Sequence, residues 1–336
     1  TSDILDENIR NLESGKSLLE IEKQVFDVFE QACNLFNPKV VARVAGGWVR
    51  DKILGKESDD IDFALENASG EEFAQKLKEV YNAKIQLNPA QSSQLESAKA
   101  FLFNKIWIDI CQLRCDEYSE DSRIPTIRVG SPLEDSVRRD ITINCLYFNI
   151  NTKKVEDFCN GIQDLKNRMI NTPIDPMISF KDDPLRILRC FRFSSRFGFT
   201  VNPNIISAAT ANLTELKSKV THPRIEMELH KALTGSPSFE YLRLCIESGI
   251  FNFVFDEFDE WSLDANAVLD RVRISSSRFT KEHAYSLSLA CIYFQLYDLP
   301  LVSDPSKPSK KIPALECAIV RRLHCKNDIY NCSNKV

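Results

Sequence analysis

The chain has 336 residues, 43% of them hydrophobic and 27% charged, with a formal net charge of −5 and a pI near 5.6. That length fits two or more domains, and the composition is that of a globular chain, not a disordered or fibrous one. The acidic balance excludes binding of nucleic acid through overall charge and leaves only a local basic face for that purpose. No run of about 20 apolar residues is present to span a bilayer. Eleven cysteines, odd in number and often inside apolar runs (Cys145, Cys190, Cys245, Cys291), read as buried thiols. Cys111 and Cys115 lie too far from other thiols to argue for zinc. With no secretory signal sequence, the expected setting is an intracellular, reducing compartment: cytoplasm, nucleus or mitochondrion.

Residues 1–36 carry an apolar stripe at helical spacing (Leu18, Leu19, Ile21, Val25, Phe26, Phe29, Cys33), which predicts one amphipathic helix packed on a sheet. The stretch Val44 to Leu65, VAGGWVRDKILGKESDDIDFAL, is chemically richer. Its opening apolar run ends in Gly46 and Gly47, and a segment with helical spacing follows. After Gly55 and a polar turn comes the alternating run Asp60-Ile61-Asp62-Phe63. Glycines between a strand and a helix start let backbone N–H groups close on phosphate oxygens, and the helix N-terminus adds partial positive charge. Arg50, one turn in, reaches the same anion. Residues two apart on a strand share a face, so Asp60 and Asp62 point the same way. Two carboxylates beside a phosphate cradle are what a pair of Mg²⁺ ions needs for in-line attack on a nucleotide. A lone GG is a common turn and a lone DxD a common solvated edge. Their order and spacing together point to nucleotidyl transfer.

This stretch resembles the signature of the DNA polymerase β-like nucleotidyltransferases. Its closer form, GGxVRD…DID, is similar to that of the tRNA nucleotidyltransferases and related bacterial poly(A) polymerases. The resemblance runs from about Val44 to Phe255 and is closest to the eukaryotic, fungal-type CCA-adding enzymes of class II. It implies an α+β fold, with a polymerase β-like head (mixed β-sheet with helices) followed by an all-α neck and body. The expected divisions are a catalytic head with its N-terminal helix over 1–155 and a neck over 156–235. A helical body over 236–336 would follow, its tRNA-binding tail short or trimmed. The implied activity is addition of CMP and AMP, from CTP and ATP, to the 3′ end of tRNA by a monomer using Mg²⁺ and no template.

Beyond Leu65 the pattern predicts a helix near 71–81, a strand at 83–87 and a polar loop over 88–100. The alternating run Phe101 to Leu113 reads as one strand. Asp109 stands in it among apolar neighbours. A buried unpaired carboxylate is costly, so beside a two-carboxylate site Asp109 is the candidate third metal ligand and the candidate acceptor of the primer 3′-hydroxyl proton. Arg114, just beyond, is within reach of a triphosphate. Residues 115–130 read as a charged connection. Arg139, Asp140 and Asn144 then fit an RRDxxxN pattern of the resembled family. Arg139 suits a phosphate through bidentate bonds, and Asp140 with Asn144 suits ribose hydroxyls. A helix-surface salt bridge is the plainer alternative. The segment with Asp157, Gly161, Asp164 and Leu165 is similar to a family hinge.

The second chemical stretch is Asp182 to Phe193, DDPLRILRCFRF. Asp182 is the expected N-cap and Pro184 the expected first-turn residue. Asp183, Arg186 and Cys190 share one face at helical spacing. Asp only accepts hydrogen bonds and Arg only donates, so side by side they complement an exocyclic amine next to a ring nitrogen. Cytosine and adenine offer that pair; uracil and guanine offer a carbonyl beside an N–H. Mispairing costs on the order of 1–3 kcal/mol per buried group. The pair should therefore accept CTP and ATP and reject UTP and GTP, with Arg189 and Arg192 supplying cations to the triphosphate.

The remainder reads as helices over 203–235 and 239–254 and a mixed helical part over 256–301. Ser303 to Ile312 is expected as a linker and Arg321 to Val336 as a basic end. Arg224 and Glu228 match a family element that supports the nucleotide-reading helix, although Pro223 stands where a Glu is usual. Two rival readings share these motifs. One is a partial CC-adding or A-adding enzyme, suggested by Pro223 and by Gln91 to Gln94 in place of a more basic loop. The other is a catalytically silent RNA-binding protein.

Overall fold

The structure, a computed structural model, describes residues 2–58, 60–87, 97–119, 122–235, 238–255, 263–275, 282–297, 299, 301–323, 325, 329, 331 and 333. It divides into two compact units, Thr1–Pro173 and Ile174–Val336. The fold is α+β. A mixed sheet with helices forms the first unit, and helices dominate the second.

Two helices, α1 (Ser2–Glu13) and α2 (Glu20–Cys33), replace the single N-terminal helix expected. Gly15 breaks them, with φ +75°, a conformation side-chain-bearing residues disfavour. Glu22 starts α2 by reaching back to the Leu19 N–H at 2.7 Å. The strands are β1 (Val41–Ala45), β2 (Ile61–Glu66), β3 (Lys84–Leu87), β4 (Ala98–Leu102), β5 (Ile106–Gln112), β6 (Arg114–Ser119), β7 (Ser122–Val129), β8 (Leu146–Asn149) and β9 (Lys154–Asp157). Seven of them form the sheet, in the order β3-β4-β5-β2-β1-β8-β9. Every neighbouring pair is antiparallel except β2 and β5, which run parallel.

Alternation along the strands separates two faces. Ile61, Phe63, Ile108 and Ile110 are buried on one. There α2 and α4 (Gly70–Tyr81) pack through a cluster of phenylalanines. Phe29 stacks on Phe63 at 3.8 Å between ring centroids and sits 5.1 Å from Phe73. Phe26 meets Phe63 and Trp48 edge-on. Each such ring contributes roughly 1.5–3 kcal/mol by leaving water. The other face carries Asp62, Asp109, Trp107 and Lys99, all at least partly exposed.

Two connections differ from expectation. Residues 115–130 lie mostly in β6 and β7, an antiparallel ribbon separate from the main sheet. The run 101–113 is split by a turn at Phe103 and Asn104, both with positive φ, into β4 and β5. Of the expected loop over 88–100, residues 88–96 lie outside the described set, and β4 already begins at Ala98.

In the second unit, α7 (Pro176–Asp182) and α8 (Leu185–Phe197) are followed by α9 (Pro203–Ala211), α10 (Leu213–Lys219), α11 (His222–Gly235), α12 (Ser238–Glu247), α13 (Ile250–Phe255), α14 (Ala265–Ser275) and α15 (Ala284–Tyr293). Gly198 ends α8 in the left-handed region. The expected linker over 303–312 is a short hairpin, Val302–Asp304 against Lys307–Ile312, so the unit is not wholly helical. Most of the basic C-terminal end lies outside the described residues. No described helix is long and apolar enough to cross a membrane.

Candidate active site

The carboxylates come together by register. Asp62 on β2 pairs directly with Asp109 on β5 across the parallel ladder, and Asp60 immediately precedes β2. Burial raises the Asp62 pKa, and the charges of Asp109 and Asp60 raise it further. On β4, Lys99 stands opposite Asp109, with its Nζ 2.9 Å from Asp109 Oδ2. Sequence reasoning missed Lys99, because the pairing depends on a register that no local pattern reveals.

The glycine turn comes next to β1. The helix α3 (Gly47–Ile53) starts directly after Gly46, whose φ is +67°. A Cβ on Gly46 would sit 3.0 Å from the Arg139 guanidinium and 3.3 Å from the Asn144 carbonyl oxygen. Only glycine leaves room for that approach. The Arg50 guanidinium donates to Asp51 at 2.8 Å and also to the Asn144 side chain. Asn144 Nδ2 donates to Asp140 Oδ1 at 3.0 Å. Gly46, Gly47, Arg50, Arg139, Asp140 and Asn144 therefore form one connected cluster.

The RRDxxxN residues do not sit on a long helix. The helix α5 (Pro132–Val137) is opened by a Ser131–Glu134 capping box, and a 3₁₀ turn at Thr142–Asn144 follows. Asp135, which sequence reasoning passed over, organises this segment. It is 1% exposed and accepts from Arg138 Nε at 2.9 Å, Arg139 Nη2 at 2.9 Å and the Tyr147 hydroxyl. Arg139 also lies over the Tyr147 ring at 5.1 Å. Burial alone would raise the Asp135 pKa; Arg139 and Arg138 overcome it and hold the carboxyl at about 2. Arg114 is within ion-pair distance of Asp116 at 3.1 Å, and its backbone N–H donates to Asp135.

The element expected as a hinge is a brace within the first unit. Asp157 accepts the N–H groups of Gly161 and Ile162, both at 2.9 Å, and so starts α6 (Gly161–Asn167). Asp164 accepts from Thr142 Oγ1 and from Asn171 at 2.7 Å. A Cβ on Gly161 would collide with the Thr142 carbonyl oxygen, so only glycine lets α6 start this close to the turn that carries Asn144.

In the second unit Asp182 does not cap α8: Pro184 holds the N-cap position, and the side chain that reaches the start of the helix is that of Asp183. Asp182 ends α7, and Asp183 Oδ1 accepts the Leu185 N–H at 3.2 Å. Asp183 Oδ2 meets Arg224 at 2.9 Å. Arg186 is buried and donates to Ser179 Oγ at 2.9 Å, while Cys190 is fully buried. Arg189 and Arg192 both turn to Glu228, at 3.3 and 2.6 Å. Glu228 is 3% exposed, so α11 braces α8 through this carboxylate.

Asp60, Asp62 and Asp109 suit hard divalent cations, which prefer oxygen ligands. Among the described residues no three side chains close into a metal cage. A Mg²⁺-like ion takes only one or two protein carboxylates and completes its shell with water and substrate phosphates. The registered pair fits that coordination.

A mixed sheet that presents registered carboxylates near a glycine–arginine turn is the arrangement of the polymerase β-like nucleotidyltransferases. Residues 42–171 match the family model described as the poly A polymerase head domain. Residues 198–262 match that described as a probable RNA and SrmB-binding site of polymerase A. The chain is 37% identical over 262 residues to a tRNA nucleotidyltransferase of Schizosaccharomyces pombe, an overlap of 71% of this chain and 54% of that protein. It is 36% identical over 275 residues to a mitochondrial CCA tRNA nucleotidyltransferase of Saccharomyces cerevisiae, covering 75% and 50%. It thus spans about half the length of these curated relatives. The fold matches a CCA-adding enzyme solved with CTP at a TM-score of 0.70 and 23% identity, covering 96% of this chain and 71% of that one. A Thermotoga maritima CCA-adding enzyme solved with tRNA gives 0.67 at 23%, covering 85% and 65%. The chain belongs to the tRNA nucleotidyltransferase family of the polymerase β-like class.

Proposed function

We propose that this chain adds CMP and AMP, from CTP and ATP, to the 3′ end of tRNA without a nucleic-acid template, and releases pyrophosphate. The observation that carries the reading is the registered Asp62–Asp109 pair, on the same sheet as the Gly46–Arg139–Asn144 cluster. The curated relatives and solved neighbours bearing tRNA nucleotidyltransferase and CCA-adding names support it.

In this reading Asp60, Asp62 and Asp109 hold Mg²⁺, which supplies charge neutralisation for phosphoryl transfer. Asp109 also takes the proton of the acceptor 3′-hydroxyl. Gly46, Gly47, Arg50, Arg114 and Arg139 hold the triphosphate, and Asp140 with Asn144 holds the ribose. Asp183 and Arg186 select the base. Arg189 and Arg192 act on the triphosphate from α8, oriented by Glu228. The tRNA is recognised by shape and backbone contacts more than by sequence. The enzyme works as a monomer, with a head over 1–155, a neck over 156–235 and a body over 236–336. An intracellular site fits the chain, and the mitochondrial relatives favour that organelle.

The test uses three tRNA transcripts, ending before CCA, after C and after CC. Each is incubated with purified protein, Mg²⁺ and CTP, ATP or both, and products are sized at single-nucleotide resolution. Growth of every transcript to full CCA is expected. A stop at CC, or addition only to the CC-ended transcript, establishes a partial enzyme. No addition to any transcript overturns the transferase reading.

A further inference from the structure

One step along the strands from the carboxylate pair, the open face of the sheet carries a second row of side chains. Lys84 on β3 stands opposite Phe101 on β4, and Phe101 stands opposite Trp107 on β5. Phe101 and Trp107 lie 4.9 Å apart between ring centroids, with planes inclined by 31°. Lys84 Nζ is 5.8 Å from the Phe101 ring centre. Trp107 shares a face with Asp109, and Phe101 with Lys99, because each pair is two residues apart. Trp107 also lines a groove of about 420 Å³ together with Asp60, Ser58, Lys105 and Ile106.

A single exposed aromatic residue is ordinary on a protein surface. This one differs in three respects. Trp107 is 45% exposed although the core on the other face is complete without it. A second aromatic ring extends it in the same cross-strand row. Lysines stand on both sides, and the row begins beside Asp60. Aromatic faces interleaved with cations are the surface that single-stranded nucleic acid uses, with bases on the rings and phosphates at the ammonium groups. If the carboxylates meet an acceptor 3′-hydroxyl, the nucleotides just before that hydroxyl must lie on the adjoining surface.

We propose that the Lys84–Phe101–Trp107 row and the groove beside Asp60 form a subsite for the single-stranded 3′ end of the RNA acceptor. Trp107 stacks on a base, and Lys84 with Lys105 faces the backbone phosphates. This rests on the transferase reading and adds to it where the acceptor strand runs.

The test is a binding cycle with the full chain and no nucleoside triphosphate. Fluorescence anisotropy gives the Kd of a labelled tRNA transcript ending in CC and of the same transcript lacking its single-stranded 3′ nucleotides. Both are measured with wild type, Trp107→Ala and Trp107→Phe. Trp107→Ala is expected to weaken the tailed transcript about 10-fold, the effect of one lost base stack. It should leave the tailless transcript within twofold, and Trp107→Phe should recover most of the loss. Calorimetric CTP affinity should also stay within twofold, since the triphosphate cluster is elsewhere. Equal binding of the tailed transcript by wild type and Trp107→Ala overturns the subsite, as does equal weakening of both transcripts. Primer extension by wild type separates the two levels. Extension with no Trp107 effect sinks the subsite alone, and absence of extension sinks the transferase reading together with it.

Discussion

Asp62 and Asp109 face one another across the parallel ladder of β2 and β5. Like charges placed directly opposite on a sheet destabilise it, and here burial and the neighbouring carboxylates push the Asp62 pKa up. Nothing about the fold calls for this pair. In the proposed reading a divalent cation relieves it.

Asp62→Asn should therefore separate activity from stability. Nucleotide transfer should fall by about 10³-fold, the scale of losing a principal electrostatic contact to the transition state. The melting temperature should hold or rise, because one member of a like-charge pair has been removed. A parallel loss of melting temperature and activity would make Asp62 a structural residue.

Lys99 Nζ lies 2.9 Å from Asp109 Oδ2, so in the proposed reading it competes with a divalent cation for that carboxylate. Both side chains are partly exposed, so the pair is weak, about 0.2–1 kcal/mol. Lys99→Met should lower the Kd for Mn²⁺ by two- to fivefold, read by calorimetric titration of the protein alone. An unchanged or higher Kd would remove Lys99 from the metal's competitors.

These contacts mark the limit of what the sequence discloses. Gly46, Gly47, Asp60 and Asp62 are legible because a tight turn and a strand period of two are local properties. Asp109 is legible as an acid in an apolar strand. Its partner Lys99 is not, since cross-strand register depends on a connection whose length sets the pairing. Asp135 is hidden because an acid in a charged, capped turn looks like surface. The β6–β7 ribbon is hidden because its residues show no apolar alternation, the signal that marks a half-buried strand. The choice between Asp182 and Asp183 at the start of α8 depends on where α7 ends, and boundary signals blur when two helices nearly abut.

Asp135→Asn tests the least visible of these residues. The Asp135 pKa of about 2 lies below the ordinary value of 3.8. Its stabilisation is fully present above pH 4 and is lost as pH falls from about 4 towards 2. From that difference it amounts to about 2 kcal/mol. The substitution should destabilise the protein by about 2–4 kcal/mol at pH 7, since Arg138 and Arg139 lose their shared carboxylate. It should also flatten the fall in stability between pH 4 and 2. Urea melts of both proteins across that range measure both effects.

Glu22 ties the N-terminal helix to the glycine-turn helix. It is 2% exposed, accepts from Trp48 Nε1 at 2.8 Å and pairs with the buried Lys52 at 2.9 Å. Removing one member of a buried pair leaves the other charge uncompensated, at about 3–5 kcal/mol. Glu22→Ala should lower stability by that amount in a denaturant melt. A loss under 1 kcal/mol would mean that Glu57, 2.6 Å from Lys52, suffices alone.

Asp183 does two jobs that one substitution can separate. Its Oδ1 accepts the Leu185 N–H, and its Oδ2 pairs with the partly exposed Arg224. In the proposed reading the same carboxylate accepts from the exocyclic amine of cytosine or adenine. An asparagine keeps an oxygen for the helix cap, and caps rank Asn beside Asp, so Asp183→Asn should change stability by less than about 1 kcal/mol. It also places an N–H₂ donor where an acceptor stood, which pairs with the carbonyl of uracil or guanine and meets an exocyclic amine donor to donor. Discrimination of CTP over UTP should then fall by about 10–100-fold, the kinetic equivalent of one mispaired buried group. Single-turnover incorporation of each nucleotide into the transcript ending before CCA, set beside a thermal melt, reads both effects. Selectivity unchanged in a stable variant would leave Asp183 as a cap only and move the choice of base to Arg186 and its neighbours.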